Sequence, residues 1–142
     1  MHVQPYLFFD GRCEEAIAFY RHAVGAQTLM LMRYGDAPGG AAQCPDGSIP
    51  PADKVMHACL QIGDTQVFAS DGFSGGQPEF KGITLSLTAQ DDAEAKRLFD
   101  RLAEGGQAHQ PLAPTFFASS FGMLVDRFGL SWMVIKPNPL PA

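Results

Sequence analysis

The segment from Ser120 to Ile135 constrains the fold of this chain more than any other. Two runs of β-branched, aromatic and long apolar residues flank the sequence Asp-Arg-Phe-Gly at 126–129. Asp at the first position of a four-residue turn and Gly at the last favour a tight reversal, so the segment predicts a β-hairpin. Alternation along its second strand places Trp132 and Met133 on opposite faces, and both faces are largely apolar. Each face therefore needs a cover, and a helix is expected on one of them.

The rest of the chain predicts two helices and six more strands. Apolar residues recur at helical spacing from Cys13 to Val24 and from Asp91 to Glu104, and the Asp91–Glu94 spacing is a capping-box pattern. Strands are expected at 3–9, 27–34, 54–62, 65–70, 83–88 and 107–117. The order βαβββ thus occurs twice, at about 3–71 and about 82–136. We expect a single α+β domain over residues 1–142, built from two tandem βαβββ units.

Residues 35–53 interrupt this pattern with a segment rich in Gly and Pro. Too little chain precedes the segment to form a separate domain, so a linker between domains is not expected. A long excursion inside one domain is more often a functional loop or a mobile flap, and the sequence leaves both interpretations open.

Charge and composition argue against several classes of function. The formal net charge is −5 and Lys and Arg form no block, which argues against nucleic-acid binding. No apolar run approaches the roughly 20 residues that span a bilayer, and the first residues lack a basic signal-peptide head. We therefore expect a cytoplasmic protein without a membrane partner. Cys13, Cys44 and Cys59 lack C-x-x-C spacing and favour reduced thiols over disulfides or a zinc site.

Several short segments together carry a resemblance to a known family. They are residues 5–11, 13–20, 53–58, 69–71 and 126–129, followed by Trp132 and Met133. In this order the chain resembles the vicinal oxygen chelate superfamily (glyoxalase I, bleomycin-resistance proteins and extradiol dioxygenases), and within it the PhnB-like branch. The resemblance implies a glyoxalase-like fold with curved mixed sheets around a cup, and a homodimer. It also implies a metal site with His, Glu or Gln ligands from strands of each unit.

The residues at the implied ligand positions are poor metal ligands. These positions fall on Pro5 beside Gln4, on Ala69 with Asp71 one pleat away, on Gly82 and on Met133. Pro and Gly side chains do not coordinate, and a Met thioether suits Cu(I) better than the divalent ions of this superfamily. We therefore expect no glyoxalase-type metal centre and no other cofactor.

The remaining polar candidates have ordinary structural interpretations. His57 is expected in a strand, with Asp71 on a neighbouring strand. A locally hydrogen-bonded His57 is favoured over a metal ligand or a base. Asp71 itself is expected to cap the following turn rather than act as an acid or base. Cys13 and Cys59 are expected in the core, and Cys44, in the long loop, to be accessible.

Strand alternation allows an apolar cup lined by the face of Met133 and Ser131 and by the face of Leu7 and Phe9. The candidate pocket residues are Leu7, Phe9, His57, Ala69, Asp71, Ser131 and Met133. A cup without metal ligands suits a small apolar or aromatic molecule, although the same residues can equally form a filled core.

These observations favour a PhnB-like protein that binds a small apolar or aromatic molecule without the usual metal centre, for example by sequestration as bleomycin-resistance proteins do. The alternative is a metal-dependent lyase, isomerase or dioxygenase with a ligand set such as Gln4, His57 and Asp71. Whether the chain is an enzyme stays open. Relatives of this branch are also described as demethylubiquinone methyltransferases, but the chain lacks a glycine-rich turn that would cradle adenosylmethionine. A purely structural or partner-binding role is a further alternative.

Overall fold

Two four-stranded mixed sheets, each with one helix, make up the structure, which is a computed structural model describing residues 1–37, 49–72 and 78–139. The chain divides into two units, Met1–Pro78 and Glu79–Ala142. No helix among the described residues is both long enough and apolar enough to cross a membrane.

The first unit has the element order βαβββ. Its elements are β1 (Tyr6–Phe8), α1 (Cys13–Val24), β2 (Gln27–Arg33), a short 3-10 helix (Tyr34–Asp36), β3 (Val55–Ile62) and β4 (Thr65–Ser70). The sheet order is β1-β4-β3-β2, in which β1 is parallel to β4 and the other neighbours are antiparallel. The bounds of α1 are those predicted. β1 begins only after Pro5, because proline has no amide hydrogen to donate to a sheet ladder.

Helix α1 covers one face of this sheet. Its buried residues include Cys13, Ala16, Ile17 and Tyr20, which share one side of the helix, and Gly25 ends it with a φ of 68°. On the sheet, the buried residues Leu7, Ala69 and Ala58 are direct neighbours across β1, β4 and β3 and so share a face. The two small alanines allow the helix to approach closely.

The second unit repeats this arrangement. Its elements are β5 (Thr84–Thr88), α2 (Asp92–Leu102), β6 (Gln107–Ala113), β7 (Ala118–Val125) and β8 (Ser131–Pro137). The sheet order is β5-β8-β7-β6, with β5 parallel to β8, so connectivity and strand order match those of the first unit. This confirms the predicted α+β class with two tandem βαβββ units.

The predicted hairpin is formed by β7 and β8. Trp132 is buried and pairs with Leu124, whereas Met133 on the other face is half-buried. Helix α2 covers the Trp132 face: a Cβ atom built on Gly122, which pairs with Val134, would lie 2.7 Å from the ring of Phe99 in α2. The expected helical cover of this face is therefore confirmed.

Differences from the predicted bounds are confined to the ends of elements. The Asp91 side chain caps α2 by accepting the Glu94 amide at 2.7 Å, as predicted, but the helix ends at Leu102. β6 ends at Ala113, where Pro114 interrupts the ladder. Most of the segment 35–53, with Cys44, lies outside the described residues, so its expected role is a prediction still.

Candidate functional site

The face of the first sheet opposite α1 carries a group of aromatic side chains, Tyr6, Phe8, His57 and Phe68, which we name the aromatic face. Ring centroids are separated by 4.9 Å for Tyr6 and Phe8, 5.5 Å for Tyr6 and His57, 6.1 Å for Tyr6 and Phe68, and 5.4 Å for His57 and Phe68. These spacings are those of interacting aromatic pairs. Tyr6 and Phe8 are nevertheless 40% and 52% exposed. The rings thus form one surface open to water.

The pairing of strands positions these rings. Tyr6 lies opposite Phe68 in the parallel β1–β4 pair. On β3, Met32 pairs with His57 but Arg33 pairs with Val55, so Met56 is an extra residue in a β-bulge. The bulge places Val55 on the buried side and His57 on the open side. There the hydroxyl of Tyr6 lies 3.0 Å from Nδ1 of His57.

The strands that form the aromatic face carry no charged side chain. Strands β1, β3 and β4 contain no Asp, Glu, Lys or Arg. Their polar groups on the open side are the Tyr6 hydroxyl, the His57 imidazole and neutral side chains such as Gln66. This surface can stack on a flat apolar group and offer it hydrogen bonds, but the three strands hold no ionic partner for a charged ligand.

Ser131 and Met133 lie on the open face of the second sheet, opposite the side that α2 covers. In β8 they alternate with Trp132, as predicted, and both are half-buried. Ser131 pairs with Thr84, and Met133 pairs with Ser86 and Met123. The two candidates are therefore neighbours on a surface of hydroxyl and apolar side chains.

Leu7, Phe9 and Ala69 lie on the helix side of the first sheet, which differs from the expectation for Leu7 and Phe9. All three are buried, and the Phe9 ring is 6.0 Å from the ring of Tyr20 in α1. β1 is apolar at both odd and even positions, so alternation alone did not fix which positions face the helix. Tyr6, Phe8 and Phe68 were missed as site residues for this reason. The small residues Ala58 and Ala69 were the available signal, since they mark where a helix packs closely.

Asp71 is buried, and its carboxylate hydrogen-bonds to the backbone of two other segments. Its Oδ1 accepts the amide hydrogen of Cys13 at 2.8 Å, and its Oδ2 accepts that of Val55 at 2.7 Å. The carboxylate thereby joins the start of α1 to the start of β3. The amide of Gly72 donates to Ser70 Oγ instead, so the prediction that Asp71 caps this turn was wrong.

The residues do not fit the metal centre of glyoxalase-type enzymes. Among residues 1–37, 49–72 and 78–139, no three His, Cys, Asp or Glu side chains are close enough to hold a metal ion. The alternative ligand set is not assembled either. Gln4 donates to Gln66 at 3.3 Å, His57 contacts Tyr6, and both oxygens of Asp71 accept backbone amides. His57 and Asp71 are not hydrogen-bonded to each other.

Cys13 and Cys59 are buried free thiols, as predicted. Burial, with a smaller contribution from the Asp71 carboxylate, raises the pKa of Cys13 to about 12. We expect the native Cys13 thiol to resist alkylation at pH 8, since only the thiolate reacts. Mass spectrometry after iodoacetamide treatment should show the same labelling in native wild type and in native Cys13→Ala. In denaturant the wild type should gain one more label than the variant.

The raised pKa also predicts a pH effect on stability. Above pH 9 the unfolded state loses the Cys13 proton while the folded state keeps it up to about pH 12, so unfolding becomes more favourable as pH rises. The expected slope is at most about 1.4 kcal/mol per pH unit. Urea unfolding at pH 8 and pH 10.5 should show a steeper decline for wild type than for Cys13→Ala. Equal declines, or alkylation of native Cys13, would contradict this.

Solved structures described as glyoxalase/bleomycin resistance proteins share this architecture at 16% and 18% identity, with TM-scores of 0.63 and 0.58, which shows a common fold. The chain thus has the glyoxalase-like fold. More narrowly, residues 1–135 match the family model described as 3-demethylubiquinone-9 3-methyltransferase, and the chain belongs to this PhnB-like family.

Relatives match along nearly the whole chain. Protein YjdN of Escherichia coli strain K12 is 37% identical over 98% of this chain and 99% of its own length. The crystal structure of protein PA1353 from Pseudomonas aeruginosa is 40% identical, with a TM-score of 0.81 over 98% of this chain and 99% of that one. A protein from Bacillus cereus described as a putative 3-demethylubiquinone-9 3-methyltransferase, PhnB protein, is 25% identical, with a TM-score of 0.77 over 96% and 99%.

Proposed function

We propose that this protein binds a small apolar or aromatic molecule on an open sheet face, without a glyoxalase-type metal centre. The observation that carries the proposal is the aromatic face, where two rings are about half exposed while held in contact with their neighbours. Covering the exposed half of one such ring removes roughly 100 Å² of apolar surface from water, or about 2.5 kcal/mol. Several rings together can offset the entropy that a small ligand loses on binding.

The seven candidate residues have different roles in this proposal. His57, Ser131 and Met133 lie on open faces and are proposed to contact ligand. Leu7, Phe9, Ala69 and Asp71 are buried on the helix side and are proposed to support the aromatic face from behind. A homodimer is also proposed, on the basis of the superfamily resemblance. Light scattering that gives the mass of a monomer would contradict the dimer and leave the proposed ligand binding unaffected.

The description of the matching family names a methyl transfer, which we do not propose for this chain. Adenosylmethionine sites commonly use a glycine-rich turn after a strand with an acidic residue downstream, and the sequence offers no such pattern. Nor do the contacts of Gln4, His57 and Asp71 favour a metal-dependent enzyme. Metal analysis of protein purified without a histidine tag tests this, because stoichiometric Ni, Zn, Mn or Fe would favour the enzyme instead.

Replacement of Phe8 by alanine should weaken binding of the neutral fluorescent naphthyl ketone Prodan by about tenfold, because it removes an exposed ring from the aromatic face. Fluorescence titration of the purified protein measures the dissociation constant. Phe116→Ala is the matched control, since Phe116 is 94% exposed but lies outside the aromatic face. Wild type that fails to bind Prodan, or equal losses in both variants, would argue against the proposed site.

A further inference from the structure

Tyr6 and His57 form a polar pair within the aromatic face. The Tyr6 hydroxyl lies 3.0 Å from His57 Nδ1, and both rings also contact Phe68. A phenol is a good donor and a poor acceptor, because its lone pair is delocalised into the ring, whereas an unprotonated imidazole nitrogen accepts strongly. This chemistry favours the tautomer in which the Tyr6 hydroxyl donates to Nδ1. In neutral His57 the ring proton is then on Nε2.

The second ring nitrogen of His57, Nε2, has no hydrogen-bond partner among the described residues. Every buried side-chain nitrogen and oxygen among the described residues has a hydrogen-bond partner. Within that same part of the chain, the imidazole of His57 makes one hydrogen bond, the one to Tyr6 through Nδ1. The bond between Tyr6 and His57 is exposed, and the His57 side chain is only half-buried. With Nδ1 engaged by Tyr6, Nε2 is the His57 ring nitrogen left to contact a ligand.

The strands that carry this donor and the neighbouring rings are uncharged. Strands β1, β3 and β4, which carry all four rings, contain no Asp, Glu, Lys or Arg. A ligand with a net charge would lose part of its hydration here without gaining an ionic partner from these three strands. A neutral ligand with a polar acceptor atom would lose little hydration and would gain a hydrogen bond.

We infer that the aromatic face selects neutral, planar aromatic molecules that carry a hydrogen-bond acceptor such as a carbonyl oxygen. The acceptor receives the Nε2–H of His57 while the aromatic part lies against the exposed rings of Tyr6 and Phe8. Tyr6 has two roles, because its ring contacts the ligand and its hydroxyl fixes the tautomer of His57. This inference rests on the proposed function and narrows it to one class of ligand.

Competition against Prodan with matched ligands tests the inference. 2-Acetylnaphthalene has the acceptor, and 2-isopropenylnaphthalene has nearly the same shape without it. Wild type should prefer the ketone by about fivefold to tenfold, the usual effect of one hydrogen bond. His57→Phe should abolish this preference for the ketone, and Tyr6→Phe should reduce it. His109→Phe, a change in an exposed histidine of β6, should leave it unaltered.

The possible outcomes separate the two proposals. If neither naphthalene competes and Prodan itself does not bind, both the proposed function and this inference fail. If both compete equally, or if the preference survives in His57→Phe, the proposed function stands and the acceptor selectivity is overturned. Tighter binding of 2-naphthoate than of the ketone would overturn the restriction to neutral ligands.

A ligand-free measurement keeps the inference falsifiable if a variant fails to fold. Nitrogen-15 NMR of the histidine side chains in wild type distinguishes protonated from unprotonated ring nitrogens. At a pH where the ring is neutral, His57 should carry its proton on Nε2. Tyr6→Phe should shift the two nitrogens toward a mixture of tautomers. A proton on Nδ1 in wild type would overturn the assigned donor.

Discussion

The Asp126→Ala variant is expected to lose about 3–5 kcal/mol of the free energy of unfolding. The Asp126 carboxylate is 3% exposed and lies at the turn between β7 and β8. Its Oδ1 accepts the amides of Phe128 and Leu130 at 2.8 and 3.1 Å, and its Oδ2 accepts Nε1 of Trp132 at 2.8 Å. Alanine removes a charged acceptor from three buried donors, and each loss costs about 1–3 kcal/mol.

Urea unfolding followed by circular dichroism measures this loss. Asp100→Ala is the control, because Asp100 forms an exposed ion pair with Lys96 at 2.7 Å, and such pairs contribute less than about 1 kcal/mol. A similar loss in both variants would show that the Asp126 contacts do not stabilise the hairpin.

A double-mutant cycle isolates the bond between Asp126 and Trp132. Asp126→Asn can keep the two amide bonds through its oxygen, but it turns a donor toward Nε1 of Trp132. Trp132→Phe removes that opposing donor. The double variant should therefore be more stable than the sum of the single losses predicts, by about 1 kcal/mol. Strict additivity would contradict a direct contact between the two side chains.

The fold was predictable because its signals are local in sequence. The helix at Cys13–Val24 follows from apolar spacing and a terminal glycine, and the hairpin follows from a turn sequence between two apolar runs. The repeated order of elements then fixed the class. The ends of elements were less well predicted, since β6 depends on where Pro114 breaks a ladder with β7.

The candidate site was predicted only in part, because it depends on contacts between distant residues. Tyr6 and His57 are 51 positions apart, and their contact requires both the parallel pairing of β1 with β4 and the bulge at Met56. An unbulged β3 would place His57 on the same side as Val55. Patterns in a single sequence do not reveal a one-residue bulge. A shift of one residue moves a side chain to the opposite face of the sheet.

Replacement of Asp71 by alanine should lower the free energy of unfolding by about 3–4 kcal/mol. The same variant distinguishes a structural role of Asp71 from a catalytic one. Both oxygens of this buried carboxylate accept backbone amides, from Cys13 at 2.8 Å and Val55 at 2.7 Å. The first is a donor at the start of α1, where negative charge is also favourable for the helix dipole. Urea unfolding and amide hydrogen exchange should show lost stability and faster exchange at Cys13 and Val55.

The second unit offers a matched comparison. Asp92, in the first turn of α2, accepts the hydroxyls of Ser119 and Ser120 at 2.6 Å, so it also joins a helix start to the start of the third strand of its unit. These hydroxyls lower the pKa of Asp92, but its side chain is exposed and water can replace them. Asp92→Ala should therefore lower the free energy of unfolding clearly less than Asp71→Ala does. If Asp71 served only as an acid or base, Asp71→Ala would leave amide exchange at Cys13 and Val55 unchanged. Its free energy of unfolding would then not fall further than that of Asp92→Ala.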